Sequence, residues 1–489
     1  MGFRRAQGHL SLLSFLILLL KFISVMWQLL RKLRAWLKIS FDKITNEKFK
    51  LNFLQAIPFW IASLLTGLAA VLYTRLFTLA EHGTAYIYHT HKWMLFIITP
   101  ICFVIAWWTV KRFDPYAKGS GIPQIMAAIE LATPKHNHKV SKLLSFRIII
   151  VKLISSLVMA FGGGIIGREG PTIQIAGSIF RKVNQALPEW WPKVSKRNMI
   201  MTGAAAGLAA AFNTPLGGIV FAVEELTKTH ISYFKTALFT AVIIAGLTAQ
   251  GLLGPYLYLG YPSVNNLSTW IFLSVIVVSI IAGLAGSGMG KLMLIVLKWK
   301  SLFNKTYQQI FYLIAAALVI VLLGYFIDTR IFNSGKELMT HALFTPEKYS
   351  PWYLPFFRIG GNLLSFTTGA AGGVFAPSLS AGATIGSVVA GWLNETPANS
   401  NLLILCGMVA FLTGVTRTPF TSAILVLEMT DRHTVIFHLM LAGMIASIVS
   451  MLIDKHSLYD RLKVEYLKEL IEEPLQGTNT VSAREEAPK

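Results

Sequence analysis

GIIGREGPTIQ, residues 164–174, sets an arginine beside a glutamate in a run dominated by glycine and aliphatic side chains. FRIIIVKLISSLVMAFGG, residues 146–163, leads into it. An ionisable pair in such surroundings is costly to bury, and the cost calls for a function. The rest of the sequence supplies the setting. Of 489 residues, 54% are hydrophobic and 14% charged, where soluble proteins carry nearer a quarter charged. The mean hydropathy is +0.58. Apolar runs such as PFWIASLLTGLAAVLY (58–73), WMLFIITPICFVIAWW (93–108), IFYLIAAALVIVLLGYF (310–326) and VIFHLMLAGMIASIVSMLI (435–453) recur along the chain. Several approach the ~20 residues that cross a bilayer core. The reading is a polytopic, all-α membrane protein.

The formal net charge is +21. The basic residues cluster between apolar runs, as in RKLRAWLK (31–38), KVSKRN (193–198) and KWKSLFNK (298–305). This is the pattern of cytoplasmic loops facing anionic lipid. A nucleic-acid partner is not expected, because no basic segment is long enough to fold alone. Cys102 and Cys406 both lie in apolar runs and suit neither a disulfide framework nor a metal cluster. The histidine pairs of HTHK (89–92) and HNHK (136–139) read as solvated connectors rather than metal ligands. Residues 1–50 form a basic N-terminal segment, with an amphipathic surface helix expected over 26–39. Residues 1–25 read either as an extra anchoring segment or as the product of a start placed upstream of Met26.

The chain repeats itself. GAAAGLAAAFNTPLGGIVFAVEEL (203–226) aligns with GMVAFLTGVTRTPFTSAILVLEMT (407–430), matching Gly203 to Gly407, Thr214–Pro215 to Thr418–Pro419 and Glu224 to Glu428. Just upstream, Gly163, Gly167 and Pro171 match Gly369, Gly373 and Pro377. Each half therefore has a glycine-rich loop, a helix, and a helix pair broken at Thr-Pro. Duplicated membrane halves place substrate sites near the midplane, where paired broken helices meet. A third glycine loop, KGSGIPQ (118–124), precedes the first half's motif.

Irregular backbone at membrane depth must line protein or water. In all three loops glycines precede a proline, which suits the first turn of a helix. Helix starts carry unpaired N–H groups and the positive end of the dipole. Three of them aimed at one point bind an anion without a full positive charge, and release it as readily as a permeation site requires. Glu169 fits this site in two states. Ionised, it competes with the anion for the amides; protonated, it is neutral and leaves. Burial and the helix dipole act on its proton in opposite senses. Glu169 is the candidate gate and proton carrier, with a structural pair to Arg168 as the bland alternative.

GSGIP (119–123), GREGP (167–171) and GGVFAP (372–377) resemble the anion-pathway signatures of the CLC chloride channel and transporter family. NTPLGGIVFAVEE and RTPFTSAILVLEMT resemble its flanking segments, and the likeness runs in order from about residue 27 to residue 465. The resemblance implies two inverted-topology repeats, about 51–255 and 265–465, with tilted and half-spanning helices, and then a short polar tail at 466–489 too small for CBS domains. It implies filter motifs of Gly119, Ser120, Gly121, Ile122 and Pro123; of Gly167, Arg168, Glu169, Gly170 and Pro171; and of Gly373, Val374, Phe375, Ala376 and Pro377. Chloride would be held by the hydroxyls of Ser120 and Tyr459 and the amides of Val374 and Phe375. On the residues alone, Ser120 also reads as a helix N-cap and Tyr459 as an interfacial anchor.

In the family's exchangers an internal glutamate relays protons to the gate. Glu224 has a repeat partner, Glu428, and so suits a shared structural task; Glu225 faces Met429 and is peculiar to one half. The internal proton role is therefore assigned to Glu225. The expectation is chloride/proton exchange, with a passive chloride channel as the alternative. Ser120 suits chloride; nitrate-preferring members have proline there. Gln124 stands where many relatives have Glu, and Val374 where Ile is usual. An intramembrane enzyme would need a catalytic constellation that the motifs do not supply, so no enzyme and no cofactor are expected. A homodimer with one pathway per subunit, a bacterial inner-membrane location and cytoplasmic termini complete the expectation.

Overall fold

A computed structural model describes residues 47–227, 235–254 and 257–472. The readings for residues 1–25, for the amphipathic segment at 26–39 and for both termini lie outside the described residues. Among the described residues the chain is helical, and two isolated β-bridges stand in place of any strand.

Apart from a single turn at Val140–Leu143, the helices of the first half are α1 (Glu47–His91), α2 (Leu95–Phe113), α3 (Ile122–Leu131), α4 (Phe146–Phe161), α5 (Glu169–Gln185), α6 (Lys196–Phe212), α7 (Pro215–Phe221) and α8 (Lys235–Leu253). Those of the second are α9 (Ile271–Lys300), α10 (Thr306–Phe326), α11 (Lys336–Phe344), α12 (Leu354–Thr367), α13 (Phe375–Trp392), α14 (Pro397–Thr416), α15 (Pro419–Thr430), α16 (Ile436–Ser450) and α17 (Leu458–Glu472). The last helix runs into the stretch read as a tail. Seven helical stretches among the described residues are long and apolar enough to cross a membrane. Others, such as α3 and α15, are apolar but short, as half-spanning helices are. The described chain forms two units. In the smaller, whose described residues are 47–57 and 190–193, the Trp191 indole donates to the Leu54 carbonyl at 2.9 Å. The larger holds everything that follows.

Local signals set the helix ends. Ser145, Ser195 and Thr396 accept from the amides of Ile148, Asn198 and Asn399 at the starts of α4, α6 and α14, the usual work of a hydroxyl N-cap. α3, α7, α12, α14 and α15 carry proline in the first turn. Small residues set the packing. α14 is surrounded by protein, every residue from Asn399 to Thr416 being buried. Glycines bring it against its neighbours: a β-carbon at Gly382 would strike the Gly407 carbonyl, one at Gly386 the Leu403 carbonyl, and one at Gly286 the Phe411 carbonyl. Close backbone approach over small residues is how membrane helices gain van der Waals contact without a hydrophobic drive between them.

The duplication is visible in the backbone. α6 ends at Asn213 (φ 58°, ψ 43°), and α14 ends at Arg417 (φ 63°, ψ 28°). Thr214 (φ −128°, ψ 81°) and Thr418 (φ −118°, ψ 76°) then lead into α7 and α15. Two non-glycine residues adopt the same uncommon left-handed conformation at matched positions. The halves also exchange hydrogen bonds: Ser365 Oγ accepts from the Ile165 amide, and Ser155 Oγ from the Ala371 amide, both at 3.0 Å.

Candidate functional site

The three glycine loops, far apart in sequence, are stitched into one surface. The Gly119 amide donates to Ala370 O at 2.9 Å and the Gly372 amide to Gly119 O at 3.1 Å. Gly167 and Gly373 exchange both bonds, at 2.8 and 2.7 Å. These pairings are the isolated bridges Gly119–Ala371 and Gly167–Gly373. They fix where α3, α5 and α13 begin, so the three N-termini sit on one joined frame.

Glycine is required at particular points. Gly121 has φ 103°, in the left-handed region, and a β-carbon there would meet Gln174 and the Gly170 carbonyl. At Gly170 a β-carbon would collide with Ser120 Oγ, which places that hydroxyl against the first turn of α5. At Gly167 it would collide with Glu169 Oε2, so the carboxylate folds back over the loop. The amides of Glu169 itself and of Ala376, in the first turn of α13, are turned to that carboxylate. Glu169 is 1% exposed.

Ser120 is 2% exposed and Tyr459 fully buried. The N-cap of α3 is Gly121, with no side-chain cap bond, so Ser120 is not a cap. Burial likewise removes Tyr459 from any interface belt. α17 directs its phenol to the Ser120 hydroxyl, and neither hydroxyl completes a protein hydrogen bond. The Tyr459 ring stands edge-on to Phe375 at 6.2 Å, and Phe375 stands edge-on to Phe212 at 6.4 Å. Val374 is the N-cap of α13 and Phe375 its first residue. The structure thus brings Ser120, Glu169, Phe375 and Tyr459 together.

Glu169 also lines a vestibule of about 660 Å³, together with Arg168, Tyr258, Glu81, Ser334 and Lys336 among others. Arg168 and Lys336 lie over the Tyr258 ring, at 5.9 and 4.8 Å from its centre. The wall at 331–334 is pinned from behind. Fully buried Arg358 donates to the carbonyls of Ile331 (2.7 Å), Phe332 (3.2 Å), Asn333 (3.1 Å) and Ser334 (2.8 Å), and through Nε to Ser380 Oγ (3.0 Å).

Glu224 and Glu225 part company. α7 widens into a π-turn over Ala222–Leu226, closed by the Thr227 amide on Ala222 O at 3.0 Å. Such turns recur at functional sites. Glu224 caps α15, whereas half-buried Glu225 lies near enough for its charge to act on the Tyr459 phenol.

Several contributors escaped the sequence reading. Lys152, fully buried, donates to Gly119 O at 3.1 Å and to Gln174 Oε1 at 2.5 Å. Lys300 donates to Thr367 O at 2.8 Å and to Thr368 O, just ahead of the third loop. Each ammonium braces a glycine loop, Lys152 at Gly119 O and Lys300 at the carbonyls just before Gly369. The signal for Lys152 was available, a single lysine inside FRIIIVKLISS. Gln124 does more than remove a charge. Its Nε2 donates to Lys118 O (2.7 Å), Tyr116 O (3.2 Å) and the Tyr466 hydroxyl (3.0 Å), tying the Ser120 loop to α17.

Comparison with known proteins agrees with this frame. The family model for the voltage-gated chloride channel matches residues 102–451. The chain belongs to this family, the CLC family of membrane channels and transporters. It is 30% identical over 387 residues to the H(+)/Cl(−) exchange transporter ClcA of Citrobacter koseri, covering 76% of this chain and 78% of that one. The ClcA of Salmonella paratyphi C is 28% identical over 450 residues, covering 87% and 91%. Among solved structures, a slow cyanobacterial Cl⁻/H⁺ antiporter superposes with a TM-score of 0.74 at 23% identity, covering 85% of this chain and 98% of that one. A CLC-type fluoride/proton antiporter superposes at 0.71 with 20% identity, covering 86% and 99%. These likenesses carry the fold of two inverted repeats.

Proposed function

We propose that this multi-pass membrane protein exchanges chloride for protons across the bacterial inner membrane. The observation that carries the reading is the meeting of Ser120, Tyr459 and the first turns of α5 and α13 at the Glu169 carboxylate. Buried hydroxyls without protein partners, beside helix N-termini, are suited to an anion. The ClcA relatives and the antiporter fold support exchange.

The steps follow from the residues. Chloride binds between the Ser120 and Tyr459 hydroxyls and the amides of Val374 and Phe375. The Glu169 carboxylate closes the outer end because it competes for the same kind of donor. A proton arriving from the vestibule neutralises it, the helix dipoles lose their hold, and the side chain swings clear. Chloride then passes, and Glu169 returns its proton inward by way of Glu225. Arg168 and Lys336 concentrate anions at the outer mouth. A homodimer with one pathway in each subunit and cytoplasmic termini belong to the same proposal.

The test is reconstitution in liposomes under a chloride gradient with no pH gradient, recording external pH. Uphill proton movement that Glu225→Gln abolishes, while chloride still flows, supports the exchanger and the role of Glu225. Chloride flow without a pH response beyond leak would make the protein a passive channel.

A further inference from the structure

Between the end of α9 and the start of α10 lies a cleft of about 430 Å³, away from Ser120, Glu169 and Tyr459. It is lined by Trp299, Phe303, Tyr307, Phe311 and Tyr312. Trp299 packs edge-on to Phe303 at 4.6 Å and to Tyr312 at 6.0 Å, which fixes the inner wall. The outer wall is open: Phe311 is 74% exposed. Its membrane side is read from the basic cluster beside it, to which Lys118, over Tyr466 of α17 at 5.2 Å, belongs. Lys111 and Lys118 lie close enough for their charges to act on Lys300, which ends α9. The cleft therefore belongs to the basic, inward-facing side.

Cations are attached to its rim. Lys300 Nζ is 5.3 Å from the centre of the Tyr312 ring and Lys305 Nζ is 5.9 Å from that of Tyr307. Lys111 Nζ reaches the start of α10, donating to Thr306 Oγ1 at 3.3 Å and Gln309 Oε1 at 3.4 Å. Along α9 and α10 nothing acidic offsets them, since no Asp or Glu occurs between Glu225 and Asp328; Asp114 follows Lys111 by three residues. Lys300 is engaged by backbone carbonyls. Lys111 and Lys305 are exposed at the rim. An apolar aromatic slot rimmed by ammonium groups is complementary to one ligand class. We propose that this cleft is a specific site for an anionic glycerophospholipid, with one acyl chain against the aromatics and the phosphate at Lys111 and Lys305.

The experiment is native mass spectrometry of the purified full chain, delipidated and then titrated with phosphatidylglycerol or phosphatidylcholine of the same acyl chains. Preferential retention of phosphatidylglycerol is expected. K111A/K305A should lower that retention by about fivefold per lysine, following the strength of juxtamembrane lysines toward anionic lipid. F311A, an exposed position with no fold to lose, should also lower it while leaving the two lysines in place. Free sn-glycerol 3-phosphate should not compete. Equal retention of the two lipids, or retention unchanged in both variants, overturns the site. Displacement by sn-glycerol 3-phosphate overturns the lipid and assigns the lysines to a soluble phosphate. Chloride transport by both variants, measured in parallel, reports that they are folded.

Discussion

Glu224 and Glu428 cap each other's half of the molecule. Glu224 accepts from the amides of Phe420 (3.1 Å) and Thr421 (2.7 Å) at the start of α15, and Glu428 accepts from those of Leu216 (3.0 Å) and Gly217 (2.6 Å) at the start of α7. Thr421 Oγ1 adds a bond of 2.6 Å to Glu224. Each carboxylate meets the positive end of a helix that belongs to the other repeat. The pair locks the halves across their pseudo-two-fold axis.

E224A and E428A are each expected to cost about 1–2 kcal/mol of stability, the range for a lost N-cap. A thermal melt in detergent reads this as a lower midpoint. The chloride-to-proton ratio of the surviving protein should be unchanged. A changed ratio for E224A would transfer the proton role away from Glu225.

E169Q keeps the shape of a protonated Glu169 and cannot ionise, so it tests the proposed gate. Chloride flux should persist, lose its dependence on pH, and carry no protons beyond leak. Paired chloride-electrode and pH recordings on liposomes measure all three.

K152M removes the ammonium that braces Gly119 O and Gln174 Oε1. Leaving these buried acceptors unpaired costs roughly 1–3 kcal/mol each at most. The Ser120 loop is expected to loosen, and chloride affinity by titration calorimetry to fall together with the melting midpoint. K152R, which still donates, should recover part of both.

Y459F retains the edge contact with Phe375 at 6.2 Å and deletes only the hydroxyl. A hydrogen bond to an ion is worth about 1.5–3 kcal/mol. Chloride affinity should fall about tenfold or more, with little change in the melt. An unchanged affinity would remove Tyr459 from the binding site.

Q124E sets a carboxyl against the carbonyls of Tyr116 and Lys118. Protonated, it still donates one bond; ionised, it donates none and repels both oxygens. The variant should therefore lose stability as pH rises, whereas the parent amide has no proton to lose. Melts across a pH series compare the two directly.

The sequence by itself determined the all-helical membrane class, the duplication and the three loops. These rest on short-range physics: apolar runs long enough for a bilayer, glycines that turn the chain, as at Gly121 with φ 103°, and prolines that open helices. They also rest on self-similarity, which needs no fold to be seen. Only the tertiary structure decided which groups meet. Glu224 could be read as closing a helix end, but not that the helix lies 196 residues away in the other half. Lys152, Lys300 and Arg358 escaped notice because a lysine or arginine in an apolar run gives no hint of which carbonyls it will brace. The unpartnered hydroxyls of Ser120 and Tyr459 became a pair only when α17 packed against α3. Backbone preference acts over a few residues, whereas a capped charge or a binding site is made by segments that packing alone brings into range.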